Sequence, residues 1–444
     1  MLLPELEAKK LTDRVLALSQ ADSCIVSLSG REHGNIRFAL NNVTTSGFQD
    51  DLTLSITSNF GKRSGTVTLN ELAEASIAAA VKKSEAIARL APEDPEFLAP
   101  LGPQKFLESR VYFERTANAK PDKLAALCAP AIREAADRKV TTAGYLRAGA
   151  GFGAMATSNG LFVFEKSTEA LFTVSARTSD GTGSGWAGQA FHDIARLDTA
   201  ALGRIAVQKT LESRQPVALE PGKYTVILEP SAVGDLVGLM LGSFDARSAD
   251  EGRSPFTKKG GGNKVGEKLF GERVNLYSDP QEAIAPGGIY TTDGLPATRR
   301  VWVENGVLRN LTWPRYWAQK SGRDPVPFPT NLVMAGGDTP VDEMIRRTKR
   351  GVLVTRLWYI RVVDPRTLVL TGLTRDGTFL IENGKLARPV KNFRFNESPI
   401  AMLNNIEAMG PGERATGSEV ENWPLRVPPL LVKDFTFSSL SDAV

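Results

Sequence analysis

The stretch AGYLRAGAGFGAMATSNGLFVFEKSTEALFTVSART, residues 143–178, decides the fold. It is a long β-rich meander, interrupted by Ser158, Asn159 and Gly160. Asn-Gly is a pair that tight hairpin turns prefer, so the stretch predicts long antiparallel strands joined by a short turn. A glycine-rich segment follows at 179–188, and the sequence then predicts a helix over 199–215.

The first ~90 residues are predicted to form a separate α+β unit. The segments 52–57 and 65–69 alternate with the two-residue period of half-buried strands, and further β-rich runs begin at Cys24 and Asn35. A long helix rich in Ala, Glu and Lys is predicted over 70–91. The N-terminus is predicted to be an amphipathic helix, with apolar residues on or near one face: Leu6, Leu11, Val15 and Leu18.

The chain after the meander is predicted to be β-rich. The stretch 231–244 is apolar nearly all round, which is typical of a buried helix. The segments 301–308 and 379–386 each consist of two strand-like runs around an Asn-Gly pair, which is a strong hairpin signal.

These segments predict an α+β fold of three domains. The N-terminal α+β domain covers 1–100, the middle α+β domain covers 106–215, and a C-terminal β-rich domain covers 222–444. A stretch with four prolines separates the first two domains. We expect α/β sandwich-like layers in the N-terminal part and a largely antiparallel sheet in the C-terminal domain.

Histidine and cysteine are scarce, which restricts the chemistry of this chain. The 444 residues include two histidines, His33 and His192, and two cysteines, Cys24 and Cys128. Neither histidine has another metal ligand at a helical spacing, and the cysteines form no C-x-x-C pair. Because zinc and most transition-metal sites depend on imidazole or thiolate, we expect neither a bound metal nor a cofactor.

Charge and hydropathy point to a cytoplasmic protein that binds neither membranes nor nucleic acid. The net charge of +4 is mild for this length, and no run approaches the roughly 20 apolar residues of a membrane span. No basic start followed by an apolar block marks a signal peptide. The densest basic stretch, 344–361, could be an anion site, but a helix end leading into a buried strand is favoured.

Three motifs resemble catalytic or binding sites only superficially. Residues 183–188 match G-x-G-x-x-G without the strand and helix that a dinucleotide site requires, so close backbone packing is favoured. His192 and Asp193 could form a base and its orienting acid, but no G-x-S-x-G elbow presents a serine. A third group could bind a hard cation but lacks EF-hand spacing, which favours a solvated acidic loop; it comprises Asp245, Asp250 and Glu251.

A short aromatic and cationic segment is a candidate contact surface. Such mixed groups often line peptide or protein contacts, and they equally often close a core. Both interpretations stay open for this segment. Its candidate residues for contact with a peptide or a partner are Arg315, Tyr316, Trp317 and Lys320.

Several segments, in their order and spacing, resemble the TldD/PmbA family over essentially the whole chain. Each alone is weakly specific, and the resemblance is strongest in the second half. The carrying segments are VILEPSAVGDLVG at 226–238, APGGIYTTDGLPATRRVWVENGVL at 285–308, PRYWAQKSG at 314–322, RGVLVT at 350–355, FLIENGKLARPVKNFRF at 379–395 and MLNNIEAMG at 402–410.

The family has metal-bearing members and members without a metal site. The metal-bearing kind has an H-E-x-x-x-H helix and a distant cysteine near the C-terminus. The resemblance aligns Gly238 and Leu239 with the His-Glu pair and Ser243 with the second histidine, and residues 410–430 contain no cysteine. Ligands and general base are therefore missing together, which implies a PmbA/TldE-like member with no catalytic residues.

This resemblance implies a non-catalytic partner subunit of a metallopeptidase that cleaves small or unfolded peptides, including modified-peptide precursors. Its implied partner is a metal-bearing TldD-like subunit in a heterodimer, or a second copy in a homodimer. Two alternatives remain at this point. One is an independent hydrolase with an unorthodox site that uses Asp245, Glu251 or His192. The other is a homodimeric peptide-binding protein without proteolysis.

Overall fold

One six-stranded antiparallel sheet forms the N-terminal half of the protein, whose computed structural model describes residues 2–441. The strand order is β3-β2-β1-β4-β5-β6. The strands are β1 (Ser23–Ala39), β2 (Asn42–Phe60), β3 (Arg63–Leu69), β4 (Thr141–Thr157), β5 (Phe162–Arg177) and β6 (Ser184–Phe191).

The two β-rich runs that begin at Cys24 and Asn35 belong to a single long strand. Strand β1 continues through Gly30 and Gly34 because it pairs with β2 on one side and with β4 on the other along nearly its whole length. Strands from both N-terminal units therefore share one sheet. The meander is confirmed as β4 and β5, with Gly160 in the connecting turn at a φ of +91°.

Helices cover one face of this sheet. Alternate side chains of β1, such as Val26 and Phe38, point into two apolar clusters beneath the helices. Burial of each such side chain contributes about 1.5–3 kcal/mol. The opposite face of the sheet stays open at its centre. The helices are α1 (Glu5–Leu18), α2 (Glu74–Leu90), α3 (Glu114–Ala117), α4 (Pro121–Asp137) and α5 (Thr199–Glu212).

The C-terminal half contains two further sheets, and all but two of the strand pairs within them are antiparallel. Their strands are β7 (Gly222–Leu228), β8 (Leu276–Ser278), β9 (Arg300–Glu304), β10 (Val307–Leu308), β11 (Leu332–Met334), β12 (Arg350–Val354), β13 (Leu357–Asp364), β14 (Val369–Thr374), β15 (Thr378–Glu382), β16 (Lys385–Pro389), β17 (Phe393–Glu397), β18 (Ile406–Met409), β19 (Glu413–Arg414), β20 (Leu425–Val427) and β21 (Leu430–Leu440). Only β7 with β12 and β11 with β20 run parallel among these described pairs.

The larger of these sheets has the order β13-β14-β17-β21-β7-β12-β15-β16, with β18 beside β21, and the smaller has the order β10-β9-β8-β11-β20-β19. The fold class predicted from the sequence is thereby confirmed. Both Asn-Gly hairpins are also confirmed, because Asn305 and Gly306 and likewise Asn383 and Gly384 have the positive φ values that a type I′ turn needs.

The predicted buried helix is α6 (Pro230–Leu241), and it lies in the largest apolar cluster. Proline at its first position needs no hydrogen bond there, which favours a helix start. The other C-terminal helices are short: α7 (Ala246–Asp250), α8 (Arg315–Lys320), α9 (Val341–Arg347) and α10 (Pro399–Asn404). Within the described residues, no helix is long and apolar enough to cross a membrane.

Candidate functional site

The candidate site is the glycine-bearing face of α6 together with the segment that lies on it. Gly238 and Leu239 are in the last turn of the helix, and Ser243 follows its end. All three are half-buried. We call residues 415–423, which cross this face, the cover segment.

The cover segment approaches α6 closely because the helix has glycines there. A Cβ atom at Gly238 would overlap with Cγ1 of Val420, and one at Gly234 would lie 2.9 Å from Cβ of Ala415. A larger side chain at position 238 would have to displace Val420. The two glycines therefore permit this contact between helix and cover segment.

A buried carboxylate anchors the cover segment. Asp235, also on α6, accepts hydrogen bonds from the main-chain N–H groups of Ser418 (3.0 Å), Glu419 (2.9 Å) and Val420 (3.1 Å). Its side chain is fully buried, and this burial raises its pKa while the hydrogen bonds act in the opposite direction. Asp235 therefore acts as a structural clamp between helix and cover segment.

The cover segment also contacts the edge of the larger C-terminal sheet. The main-chain N–H of Ile360 on β13 donates to Glu419 at 2.8 Å. Strand β13 is the last strand of that sheet. It carries exposed apolar side chains, with Tyr359, Val362 and Val363 at 59%, 52% and 58% exposure. The covered helix therefore lies close to an apolar, unpaired sheet edge.

His192 is held by main-chain carbonyls. Its Nδ1 lies 2.6 Å from the oxygen of Thr168 and its Nε2 lies 3.2 Å from the oxygen of Pro286. Burial lowers its pKa. The adjacent Asp193 does not orient the ring but pairs with Arg115 at 2.7 Å. These contacts favour the structural interpretation of the His-Asp pair.

The acidic candidates are also committed to structural contacts. Asp245 caps α7 by accepting the N–H of Ser248 at 2.7 Å. Asp250 accepts from Trp317 Nε1 at 2.8 Å, and Glu251 pairs with Arg247 at 3.0 Å. Within residues 2–441, no three His, Cys, Asp or Glu side chains gather closely enough to hold a metal ion.

The glycine motif at 183–188 packs a strand against a helix. A Cβ atom at Gly185 on β6 would overlap with the carbonyl oxygen of Ala206 on α5. This close approach explains the glycine by packing and leaves no phosphate-binding loop between strand and helix.

The aromatic and cationic segment forms α8, and part of it is already engaged. Arg315 donates to the carbonyl of Ala99 at 2.8 Å. Trp317 Nε1 donates a hydrogen bond to Asp250. The Lys320 ammonium lies 4.6 Å from the centroid of the Trp317 ring. Contact of this segment with a peptide or partner stays a prediction for all four candidate residues: Arg315, Tyr316, Trp317 and Lys320.

Sequence reasoning missed a second concave site on the open face of the N-terminal sheet. Its volume is about 530 Å³. Gly149, Gly151 and Gly153 of β4 lie along it, and Tyr290 and Thr291 of the C-terminal half border it. The alternation of glycines in 149–153 was the available signal, but the flanking side chains are known only from the strand register.

Three family models match consecutive parts of the chain. They describe the PmbA/TldA metallopeptidase domain 1 (residues 24–88), central domain (112–214) and C-terminal domain (221–439). A "Metalloprotease" of Methanothermobacter thermautotrophicus is 25% identical over 278 residues, which are 58% of this chain and 59% of that protein. A "Metalloprotease TldD homolog" of Buchnera aphidicola is 25% identical over 227 residues, 47% of this chain and 43% of the relative. The matched region thus spans about half the length of these relatives.

The fold is shared with a protein of known structure. The crystal structure of TldE from Thermococcus kodakarensis superimposes with a TM-score of 0.84 at 20% identity, covering 97% of this chain and 99% of the other. At this identity the likeness establishes the common fold across all three matched regions.

Proposed function

The chain belongs to the PmbA/TldD metallopeptidase family, and we propose that it is the non-catalytic partner of a metal-bearing TldD-like subunit. One observation carries this proposal. The helix face that would hold the metal in such a subunit has Gly238 here, and Val420 lies where a side chain at that position would begin.

The residues present do not fit the metal ion that the family implies. The family resemblance places Gly238, Leu239 and Ser243 at the positions of the His-Glu pair and the second histidine. Glycine and leucine have no ligand atom, and leucine cannot act as a general base. The nearby carboxylate of Asp235 already accepts three main-chain N–H groups. We therefore derive no catalytic step from this chain.

We propose that the partner subunit docks along β13. An edge strand with exposed apolar side chains is prone to pair with another strand. On β13 these side chains are Tyr359, Val362 and Val363. Because β13 contacts the cover segment, docking here would bring the partner close to α6 and enclose a peptide-cleaving chamber between the subunits.

The same edge supports a second candidate, a homodimer that binds peptides without cleaving them. An antiparallel strand can pair with its own copy about a two-fold axis, so β13 suits self-association as well. The independent-hydrolase alternative is weaker, because Asp245, Glu251 and His192 are each engaged in structural contacts.

The test is reconstitution with a TldD-like subunit from the same genome that has an intact H-E-x-x-x-H helix. We expect this chain alone to cleave no unfolded peptide, and the mixture to cleave faster than the TldD-like subunit alone. Elemental analysis should find metal in the mixture and none in this chain. Turnover by the lone chain, or a mixture no faster than the TldD-like subunit alone, would refute the proposal.

The docking surface has its own test with a matched control. Val363→Glu places a charge on the exposed face of β13 and should abolish heterodimer formation in size-exclusion chromatography with light scattering. Leu386→Glu makes the same change on β16, the opposite edge of the same sheet, where Leu386 is 40% exposed. If both variants associate like the native chain, β13 is not the docking edge. A native mass of two copies without the TldD-like subunit would favour the homodimer.

A further inference from the structure

The open face of the N-terminal sheet contains a groove with a floor of glycines. Gly149, Gly151 and Gly153 are two residues apart on β4, so they lie in line on the same face of the sheet. We call this feature the glycine groove. Strand register gives its two walls: Ser29, Arg31 and His33 on β1 stand opposite Glu165, Ser167 and Glu169 on β5.

The dimensions of the glycine groove suit one extended chain. Its walls stand on strands two spacings apart, which is about 9.5 Å. From Gly149 to Gly153 the floor runs about 14 Å, the length of four extended residues. An α-helix with side chains is about 10–12 Å wide and would not enter. The lack of side chains on the floor lets a ligand main chain lie directly on the sheet.

The β1 wall has polar groups without partners. His33 is only 7% exposed, and its Nδ1 is buried without a hydrogen-bond partner in the described structure. The exposed Arg31 forms no ion pair or hydrogen bond within residues 2–441, although Asp51 is its neighbour on β2. A buried polar atom without a partner is uncommon in folded proteins. The Arg31 guanidinium is therefore available to a ligand, whereas the Nδ1 of His33 is closed to solvent.

The opposite wall is mostly engaged already. Glu165 accepts hydrogen bonds from Ser109 Oγ at 2.6 Å and from the main-chain N–H of Ile289 at 3.2 Å. Glu169 pairs with Arg147 and accepts from Asn422 of the cover segment. Arg31 is therefore the cationic side chain of the groove that still lacks an acceptor oxygen.

The ends of the groove connect it to the candidate site. A Cβ atom at Gly153 would overlap with the Tyr290 hydroxyl, so that side chain closes one end. At the other end, Asn422 belongs to the cover segment that lies on α6. A chain that follows the floor toward Glu169 is thus directed to the covered helix.

We infer that the glycine groove binds an extended peptide segment through its main chain, with a ligand carbonyl oxygen at Arg31. The side chains of its two walls are polar and its floor consists of glycines, so the groove recognises the backbone and tolerates many sequences. The choice of a peptide as ligand rests on the proposed function, whereas the groove itself rests on its geometry.

The test measures binding of N-acetyl-tetra-alanine amide to the full chain alone by isothermal titration calorimetry. We expect binding that is lost when the amide nitrogens of the probe are methylated, because the methyl groups would hold its main chain off the glycine floor. Binding should survive replacement of alanine by serine. Arg31→Gln should weaken it about tenfold, the loss of one charge-assisted hydrogen bond. Arg37→Gln is the matched control, because Arg37 lies on the same face of β1 but stacks on Tyr145 outside the groove.

A second variant fills the floor. A Cβ atom at Gly151 would lie 3.1 Å from the carbonyl oxygen of Gly30, so valine needs only a small adjustment and suits a strand. Gly151→Val should abolish binding while the circular dichroism spectrum stays native. Absence of binding to the native chain, equal binding of the methylated probe, or full binding by both variants would overturn the inference.

These outcomes separate the groove from the proposed function. Peptide binding by the lone chain without cleavage by the reconstituted mixture would refute the partner-subunit proposal and support the glycine groove as a binding site. Cleavage by the mixture with no effect of Gly151→Val on binding would support the partner-subunit proposal and refute the groove.

Discussion

Replacement of Asp235 by alanine tests whether this carboxylate holds the cover segment on α6. Asp235 accepts three main-chain N–H groups and lies within 3.1 Å of the Ser418 hydroxyl. Without the carboxylate, these donors either stay buried and unsatisfied or the segment moves away from the helix. Either route weakens the contact of Val420 with Gly238.

The magnitude follows from these contacts. Each buried donor left unsatisfied costs about 1–3 kcal/mol, and three main-chain N–H groups lose their acceptor. Burial of the carboxylate raises the pKa of Asp235 and carries a desolvation cost. The alanine variant avoids this cost, which offsets part of the loss. We therefore expect the free energy of local opening to fall by about 3 kcal/mol. Asp235→Asn keeps one acceptor oxygen and should lie between the native chain and the alanine variant.

The assay is native-state hydrogen exchange at the amides of Ser418, Glu419 and Val420. A loss of about 3 kcal/mol corresponds to roughly a hundredfold faster exchange through local opening. Asp364→Ala is the control, since Asp364 also accepts a main-chain N–H, from Arg366 at 2.9 Å, but in an exposed turn. It should leave the three amides unchanged. If their protection in Asp235→Ala stays within threefold of the native value, Asp235 is not the clamp.

Three further outcomes are expected. Gly185→Ala should lower the free energy of unfolding by about 1–3 kcal/mol in urea titrations, because the added Cβ overlaps with the Ala206 carbonyl oxygen. Gly102→Ala is the control and should be nearly neutral, because a Cβ there makes an ordinary 3.5 Å contact. Burial raises the pKa of Glu165, so the native chain loses stability as pH rises from the ordinary value near 4.3 through the raised one. The stability difference between Glu165→Gln and the native chain should therefore shift in favour of the glutamine variant over that pH range, and a pH-independent difference would contradict this. Burial raises the pKa of Cys128 to about 12, so this thiol should react with a disulfide reagent only after denaturation, and rapid labelling of the folded chain at neutral pH would contradict it.

Local sequence signals determined several turns and helices of this protein and the lack of metal ligands at two positions. Asn-Gly pairs specify their hairpins because their residues tolerate positive φ, as at Asn383 and Gly384. An apolar stretch with no polar face predicts a buried helix, and α6 is one. The identities of Gly238 and Leu239 likewise need no structure, because a side chain without a ligand atom cannot bind a metal wherever it lies.

Tertiary structure decided what depends on residues far apart in the chain. The pairing of Arg31 with Gly151 joins two predicted domains into one sheet and flanks the glycine floor with its walls. The contacts of Asp235 with Ser418, Glu419 and Val420 span more than 180 residues. Periodicity reports only which face of its own element a side chain occupies, so neither the partner strand nor the segment that covers a helix can be inferred from it. The partner strand and the covering segment are determined only when the whole chain folds and buries its apolar faces against one another.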